Sequence, residues 1–165
     1  MKKKKINLLF VDDEEQFLTS MGKRLEAREF HVLAVNRGEK AVETARTSPV
    51  DIALIDLKMP GMNGEQTLKA LKQEHPWMEV VILTGHGSID SAVECTQGGA
   101  HSYLQKPCDL EQLLEVLKEA YKKRVMSRNQ IEGGRMDELL QSVKFKSPRE
   151  ILQRLKEIDE GANNS

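Results

Sequence analysis

Between residue 5 and about residue 124, short apolar runs alternate with longer amphipathic ones. Ile6–Val11 is apolar at every position except Asn7, the pattern of a strand buried on both faces. Residues 15–28 carry Phe17, Leu18, Met21 and Leu25 at a helical period. A second strand is read at 31–35, and a short helix at 39–46 turns Ala41, Val42 and Ala45 inward. Residues 51–56 spell Asp-Ile-Ala-Leu-Ile-Asp, a third buried strand that ends in a carboxylate. The segment 59–64 is dense in turn formers and leads into a helix at 65–73. Glu79–Thr84 contains Val80, Val81, Ile82 and Leu83, the clearest buried strand in the chain. A helix at 88–97, stopped by Gly98 and Gly99, precedes a fifth strand at 101–104. Asp109, just past Pro107, caps a helix rich in leucine at 110, 113, 114 and 117.

Five strands alternating with five helices predict an α/β fold, a doubly wound parallel sheet covered on both faces. Such sheets bind ligands outside the carboxyl ends of their strands. The residues just past those ends are Asp12 and Asp13, Asp56, Thr84 and Lys106.

The pattern changes after residue 126, which divides the chain into a domain at 1–126 and a helical extension or linker at 127–165. Residues 127–134 are polar and end in Gly133-Gly134, a linker pattern. Met136, Leu139, Leu140 and Val143 then form one apolar stripe. Ser147-Pro148-Arg149-Glu150 is a capping box with proline at the first helical position. It opens a helix carrying Ile151, Leu152, Leu155 and Ile158, expected to stop at Gly161. Helices this short are marginal alone in water, so the stripes require a surface to pack on.

A length of 165 residues suits one ordinary domain with a small appendage. Seven aromatic residues leave the core to aliphatic side chains. With 25 basic and 26 acidic residues, no global field favours nucleic acid or an anionic membrane. The extension itself has seven basic and seven acidic residues, which argues against DNA contact. Cys95 and Cys108 show no ligand spacing, which fits a reduced, cytoplasmic setting. The apolar run after Met1–Lys5 is too short for a secretory signal and ends in four acidic residues, and no run approaches the ~20 residues of a membrane span. The Lys2–Lys5 run is read as a solvated edge guard for the first strand rather than as a contact for acidic partners or nucleic acid. His31, His75, His86 and His101 are scattered, and the glycines form no phosphate-cradling pattern ending in Gly-Lys-Ser/Thr.

Three converging carboxylates repel one another and gain protons unless a cation neutralises them. An all-oxygen set of this size suits Mg²⁺, which keeps several waters and favours phosphate-bearing partners. Lys106 adds a point charge for a phosphoryl oxygen and Thr84 a hydroxyl donor, completing a parts list for phosphoryl transfer. Singly, each residue has a plainer reading: Asp12 and Asp13 as a helix start, Asp56 as a turn residue, Lys106-Pro107 as a loop. Jointly they fall at the ends of four strands, which plain readings leave as four coincidences.

Residues 6–124 resemble the receiver domain of two-component response regulators, in particular those of nitrogen-regulator type. The resemblance is carried by Leu9-Phe10-Val11-Asp12-Asp13-Glu14, by the run from Asp56 through Met59-Pro60-Gly61 to Gly64, by Leu83-Thr84-Gly85-His86-Gly87 and by Tyr103-Leu104-Gln105-Lys106-Pro107. It implies strand order 2-1-3-4-5 and phosphorylation of Asp56 by a histidine kinase or a phosphotransfer protein. It further implies Mg²⁺ held by Asp13, Asp56 and the backbone carbonyl of Lys58, with Asp12 acting through water. Lys106 would pair with the phosphoryl oxygens, Thr84 would move to hydrogen-bond one of them, and Tyr103 would turn inward behind Thr84. Pro107 is expected as a cis residue, and Lys58 and His86 are expected to tune hydrolysis of the acyl phosphate.

The reading is therefore a signalling switch, not an enzyme beyond its own phosphoryl transfer and hydrolysis, whose output is a phosphorylation-dependent protein contact. A homodimer through the fourth helix, fifth strand and fifth helix, or through the extension, belongs to that reading. The extension is expected to dock on the face that Tyr103 remodels. One alternative is a transcription regulator acting through its tail or through an output domain on a longer chain; another is a flavin- or nucleotide-binding enzyme on the same fold, which the aspartate set with Lys106 disfavours.

Overall fold

A computed structural model describes residues 4–141 and 147–163. The strands are β1 (Ile6–Val11), β2 (Phe30–Val35), β3 (Ile52–Ile55), β4 (Glu79–Thr84) and β5 (Ser102–Gln105). All pair in parallel, in the order β2-β1-β3-β4-β5 expected from the sequence. Between them lie α1 (Glu15–Glu26), α2 (Gly38–Thr47), α3 (Gly64–Glu74) and α4 (Ile89–Gln97), followed by α5 (Leu110–Asn129), α6 (Gly133–Gln141) and α7 (Pro148–Asn163).

Alternate residues of each strand feed two cores, as the pleat requires. Ile6, Leu8 and Phe10 of β1 join Ile52, Leu54, Val81 and Leu83 under α1 and α5. Leu9 and Val11 join Ala53, Ile55, Val80 and Ile82 under α2, α3 and α4. The single polar exception in β1, Asn7, is half-buried, and its amide donates to Asp51 Oδ2 at 2.8 Å. Because β1 lies inside the sheet, a lysine run before it guards no edge. Lys5 instead donates to the Glu26 carbonyl at 2.8 Å, tying the entry of β1 to the end of α1; residues 1–3 lie outside the described residues.

The extension departs most from expectation. The segment 127–134 is mostly helical: α5 runs on to Asn129, α6 starts at Gly133, and residues 130–132 connect them, with Gln130 in the left-handed region at the corner. A leucine-rich helix with a continuing apolar face has no reason to stop at 126, and Val125 is fully buried. Val143 lies outside the described residues. Gly161 does not stop α7, which continues to Asn163; one glycine costs a helix about 1 kcal/mol, less than its neighbours can offset.

The extension also docks on a different surface. Met136, Leu152 and Leu155 are buried in the core beneath α1 and α5, with Ile151 and Ile158 partly buried beside them. Around this apolar contact, Arg149 Nε reaches Glu29 Oε1 at 2.6 Å and Lys156 lies 4.0 Å from Asp51. Asp159, almost fully buried, accepts from Asn129 Nδ2 at 2.9 Å and pairs with Arg128 at 3.5 Å. Glu29 and Asp51 precede β2 and β3, so the extension sits toward the amino ends of the strands and away from the Tyr103 face. Among the described residues, Met136, Leu152 and Leu155 find their apolar partners on α1 and α5.

Candidate functional site

The carboxyl ends of β1, β3 and β5 bring together Asp12, Asp13, Asp56 and Lys106, and Thr84 ends β4 next to Lys106 along the backbone. Each strand delivers its residue through backbone pairing: the Asp56 amide donates to the Val11 carbonyl at 2.9 Å, and the Lys106 amide to the Thr84 carbonyl at 2.8 Å. One carboxylate oxygen from each of Asp12, Asp13 and Asp56 lies within 4.8 Å of the others. Asp12 and Asp56 are buried, whereas Asp13 opens to solvent.

Lys106 links the set. Its Nζ lies 2.7 Å from Asp12 Oδ2, 3.5 Å from Glu14 Oε1 and 3.9 Å from Asp56 Oδ2. Burial pushes the Asp12 carboxyl above its ordinary range, although the Lys106 hydrogen bond and the Glu14 amide, at 2.9 Å from Oδ1, pull the other way. Burial pulls Lys106 down, but the bond to Asp12 and the charges of Asp12, Asp56 and Glu14 outweigh it, so the ammonium is held charged. Asp56 Oδ1 is fully buried with no hydrogen-bond partner among the described residues. A buried carboxylate oxygen left without a donor is costly unless a cation or water meets it. Three carboxylates against one lysine, with this orphaned oxygen, fit a hard divalent cation such as Mg²⁺.

The loop after β3 holds Asp56 in place. The Gly64 amide bonds the Leu57 carbonyl at 2.8 Å, so α3 begins directly against the end of β3. A Cβ on Gly64 would lie 2.4 Å from the Asp56 carbonyl oxygen and 2.6 Å from Leu57 Cα, so only glycine permits this approach. Gly61 takes a φ of 76°, and Asn63 caps α3 in a reciprocal box with Gln66. Met59 is buried, consistent with a gap filler, and the Lys58 side chain is exposed. Asp13, Glu14, Lys58, Met59, Pro60 and His86 line an open cleft of about 350 Å³ over the site.

Thr84 is fully buried, and its Oγ1 accepts from the His86 amide at 3.1 Å. Tyr103 is half-buried with its hydroxyl 2.7 Å from Ser91 Oγ, and it also accepts from the Ser88 amide at 3.3 Å. It therefore clasps the capped start of α4, beneath the loop that follows Thr84. Lys106-Pro107 is cis, and Asp109 Oδ1 caps α5 by accepting from Gln112 N at 2.7 Å. Two neighbours of Lys106 escape a reading confined to strand ends: Glu14, and the Phe17 ring, whose centroid lies 4.2 Å from the ammonium. Their signal is positional, since both follow Asp13 within about one helical turn.

A family profile described as the response regulator receiver domain matches residues 8–118. The chain is 36% identical over 120 residues to the transcriptional regulatory protein GlrR of Escherichia coli, and 32% identical over 131 residues to the DNA-binding transcriptional regulator NtrC of the same organism. These alignments cover 73% and 77% of this chain but 27% and 28% of those proteins, so the chain spans about a quarter of their length. Among solved structures it is similar to a CheY-like receiver domain from Methanospirillum hungatei, with TM-score 0.72 and 27% identity over 74% of this chain and 98% of that one. A receiver domain from Clostridium thermocellum matches with TM-score 0.69 and 30% identity, over 74% of this chain and 98% of that one. With the sheet order, the strand-end site and these relatives in agreement, the chain belongs to the response regulator receiver domain family.

Proposed function

We propose that this protein is a phosphorylation-activated switch in which Asp56 accepts a phosphoryl group from a sensor histidine kinase or a phosphotransfer protein. The observation that carries the proposal is the Asp56 carboxylate itself: buried, with Oδ1 unpartnered, Oδ2 3.9 Å from Lys106, and two further aspartates beside it. In the transfer, an Asp56 oxygen attacks phosphorus, the bond to the donor nitrogen breaks, and the donor histidine takes a proton from solvent. The acyl phosphate that forms is later hydrolysed back to aspartate and phosphate.

Mg²⁺ is the cofactor of this reading; Asp13, Asp56 and the Lys58 carbonyl would hold it, and Asp12 would act through water. When bound, it neutralises charge on the phosphoryl oxygens. Lys106 supplies a positioned cation for one of those oxygens and balances the buried Asp12. Thr84 offers a hydroxyl, released from the His86 amide, to a second oxygen. That movement vacates the space in front of Tyr103, whose hydroxyl then leaves Ser88 and Ser91 and turns inward, loosening the start of α4.

The output of the proposed switch is a protein contact on α4, β5 and α5, where Ile89 and Val93 stand 84% and 50% exposed; a second copy of the chain is one such partner. The reading takes 1–126 as the receiver and 127–165 as its helical extension, whose first three residues complete α5. It places the protein in the cytoplasm; among the described residues no helix is long and apolar enough to cross a membrane. The transcriptional-regulator names of relatives such as GlrR and NtrC favour a second reading, in which a longer chain couples this receiver to DNA.

Acetyl phosphate with Mg²⁺ is expected to add one base-labile phosphoryl group, detected by mass spectrometry, and Asp56→Asn to abolish it. Undiminished labelling of that variant refutes the assignment.

A further inference from the structure

Phe17 reads in the sequence as one more apolar position of α1, yet its ring does more than fill space. Its edge-to-face contact with Phe10, centroids 5.8 Å apart and planes at 83°, anchors it to the buried β1 residue. Its ring lies beneath the Lys106 ammonium, 4.2 Å from centroid to Nζ. That ammonium is bonded to Asp12 on one side and faces Glu14 and Asp56 on others, and the lysine side chain is only 13% exposed. The ring therefore occupies a flank where water would otherwise solvate the cation, and its negative quadrupole substitutes for that water. An ammonium tied only to Asp12 keeps the freedom to swing about that bond; one seated on a fixed ring does not.

We propose that Phe17 is a positioning residue that holds Lys106 in place for the phosphoryl group through a cation–π contact. The inference rests on the Asp56 reading above. Preorganising a cation at the reacting group speeds transfer because no reorganisation is needed when charge shifts. An aliphatic side chain of similar bulk would fill the same space without offering a negative face.

The test replaces Phe17 in the full chain with mono-, di- and trifluorophenylalanine, which keep the ring's shape while draining its quadrupole, and with leucine. Initial rates of phosphorylation by acetyl phosphate are expected to fall stepwise through the series. The trifluoro and Phe17→Leu proteins should be about three- to tenfold slower than wild type, the scale of a partly desolvated cation–π contact. In metal-free protein, the Lys106 Cε protons should resonate upfield, shifted by the ring, in wild type and throughout the fluorinated series, and return to ordinary lysine positions in Phe17→Leu. Rates flat within about twofold across the series, with wild type labelled at Asp56, overturn the positioning role and leave the acceptor reading intact. Absence of the upfield shift in wild type overturns the contact itself. A wild type not labelled at Asp56 overturns the acceptor reading, and this role with it.

Discussion

Leu155→Ala tests whether the extension is part of the folded domain. Leu155 is fully buried and Leu152 is 1% exposed, both within the core that includes Ile6, Phe30, Leu113 and Tyr121. Truncating a fully buried leucine removes its transfer free energy and leaves a cavity, together about 2–5 kcal/mol. Against a typical domain stability of about 5–15 kcal/mol, that is a large fraction. The loss should appear in the global transition, because α7 shares one core with β1 and α5. Urea unfolding followed by circular dichroism and by Trp77 fluorescence gives the measurement. Trp77 precedes β4, at the sheet end opposite Asp56, and its carbonyl accepts from Arg124, which also pairs with Asp51 near Lys156. Phosphorylation at Asp56 should persist, since the substitution lies at the far end of the sheet. A change below about 0.5 kcal/mol, the scale of ordinary surface substitutions, refutes the docking.

Gly64→Ala should lower the melting temperature and slow labelling of Asp56, because its methyl would press on the Asp56 carbonyl; overpacking of this kind typically costs about 1–3 kcal/mol, and wild-type values for both measurements would contradict the geometry. Glu79 is buried, its Oε2 without a hydrogen-bond partner among the described residues and 4.0 Å from Lys123 Nζ, and burial raises its carboxyl above the ordinary value of 4.5, against the pull of Lys123 and Lys72. The folded state then holds this proton more tightly than the unfolded chain, so stability is greatest below the unfolded value and falls as pH rises through the folded one. Glu79→Gln should lack that fall, so its stability relative to wild type should grow as pH rises from about 4 toward 7; parallel thermal-unfolding curves would refute the assignment.

Most of the sheet was legible because strand burial is a local property of the residues. The run Val80–Leu83 announces a strand flanked on both faces whatever surrounds it, and the strand order of the family followed from motifs at the strand ends. The acidic set was legible for the same reason: a doubly wound sheet sends the residue after each strand to one edge. Element ends were less so. Phe30 and Gln105 joined their strands because hydrogen bonds to a neighbouring strand, not side-chain type, decide where pairing starts and stops.

By itself, then, the sequence determined the layers, the site and the apolar stripes of the extension. Where those stripes went was decided only by the tertiary structure. Leu152 and Leu155 declare that they need burial, but which surface accepts them depends on the shape and charge that α1, α5 and the amino ends of β2 and β3 present together, including Glu29 and Asp51 for Arg149 and Lys156. The Lys106 environment belongs to the same class. Its bond to Asp12 spans 94 residues, and its ring partner Phe17 reads as ordinary core until the fold places it beneath the ammonium. Periodicity records whether a side chain is buried; what it is buried against is a property of the assembled surfaces.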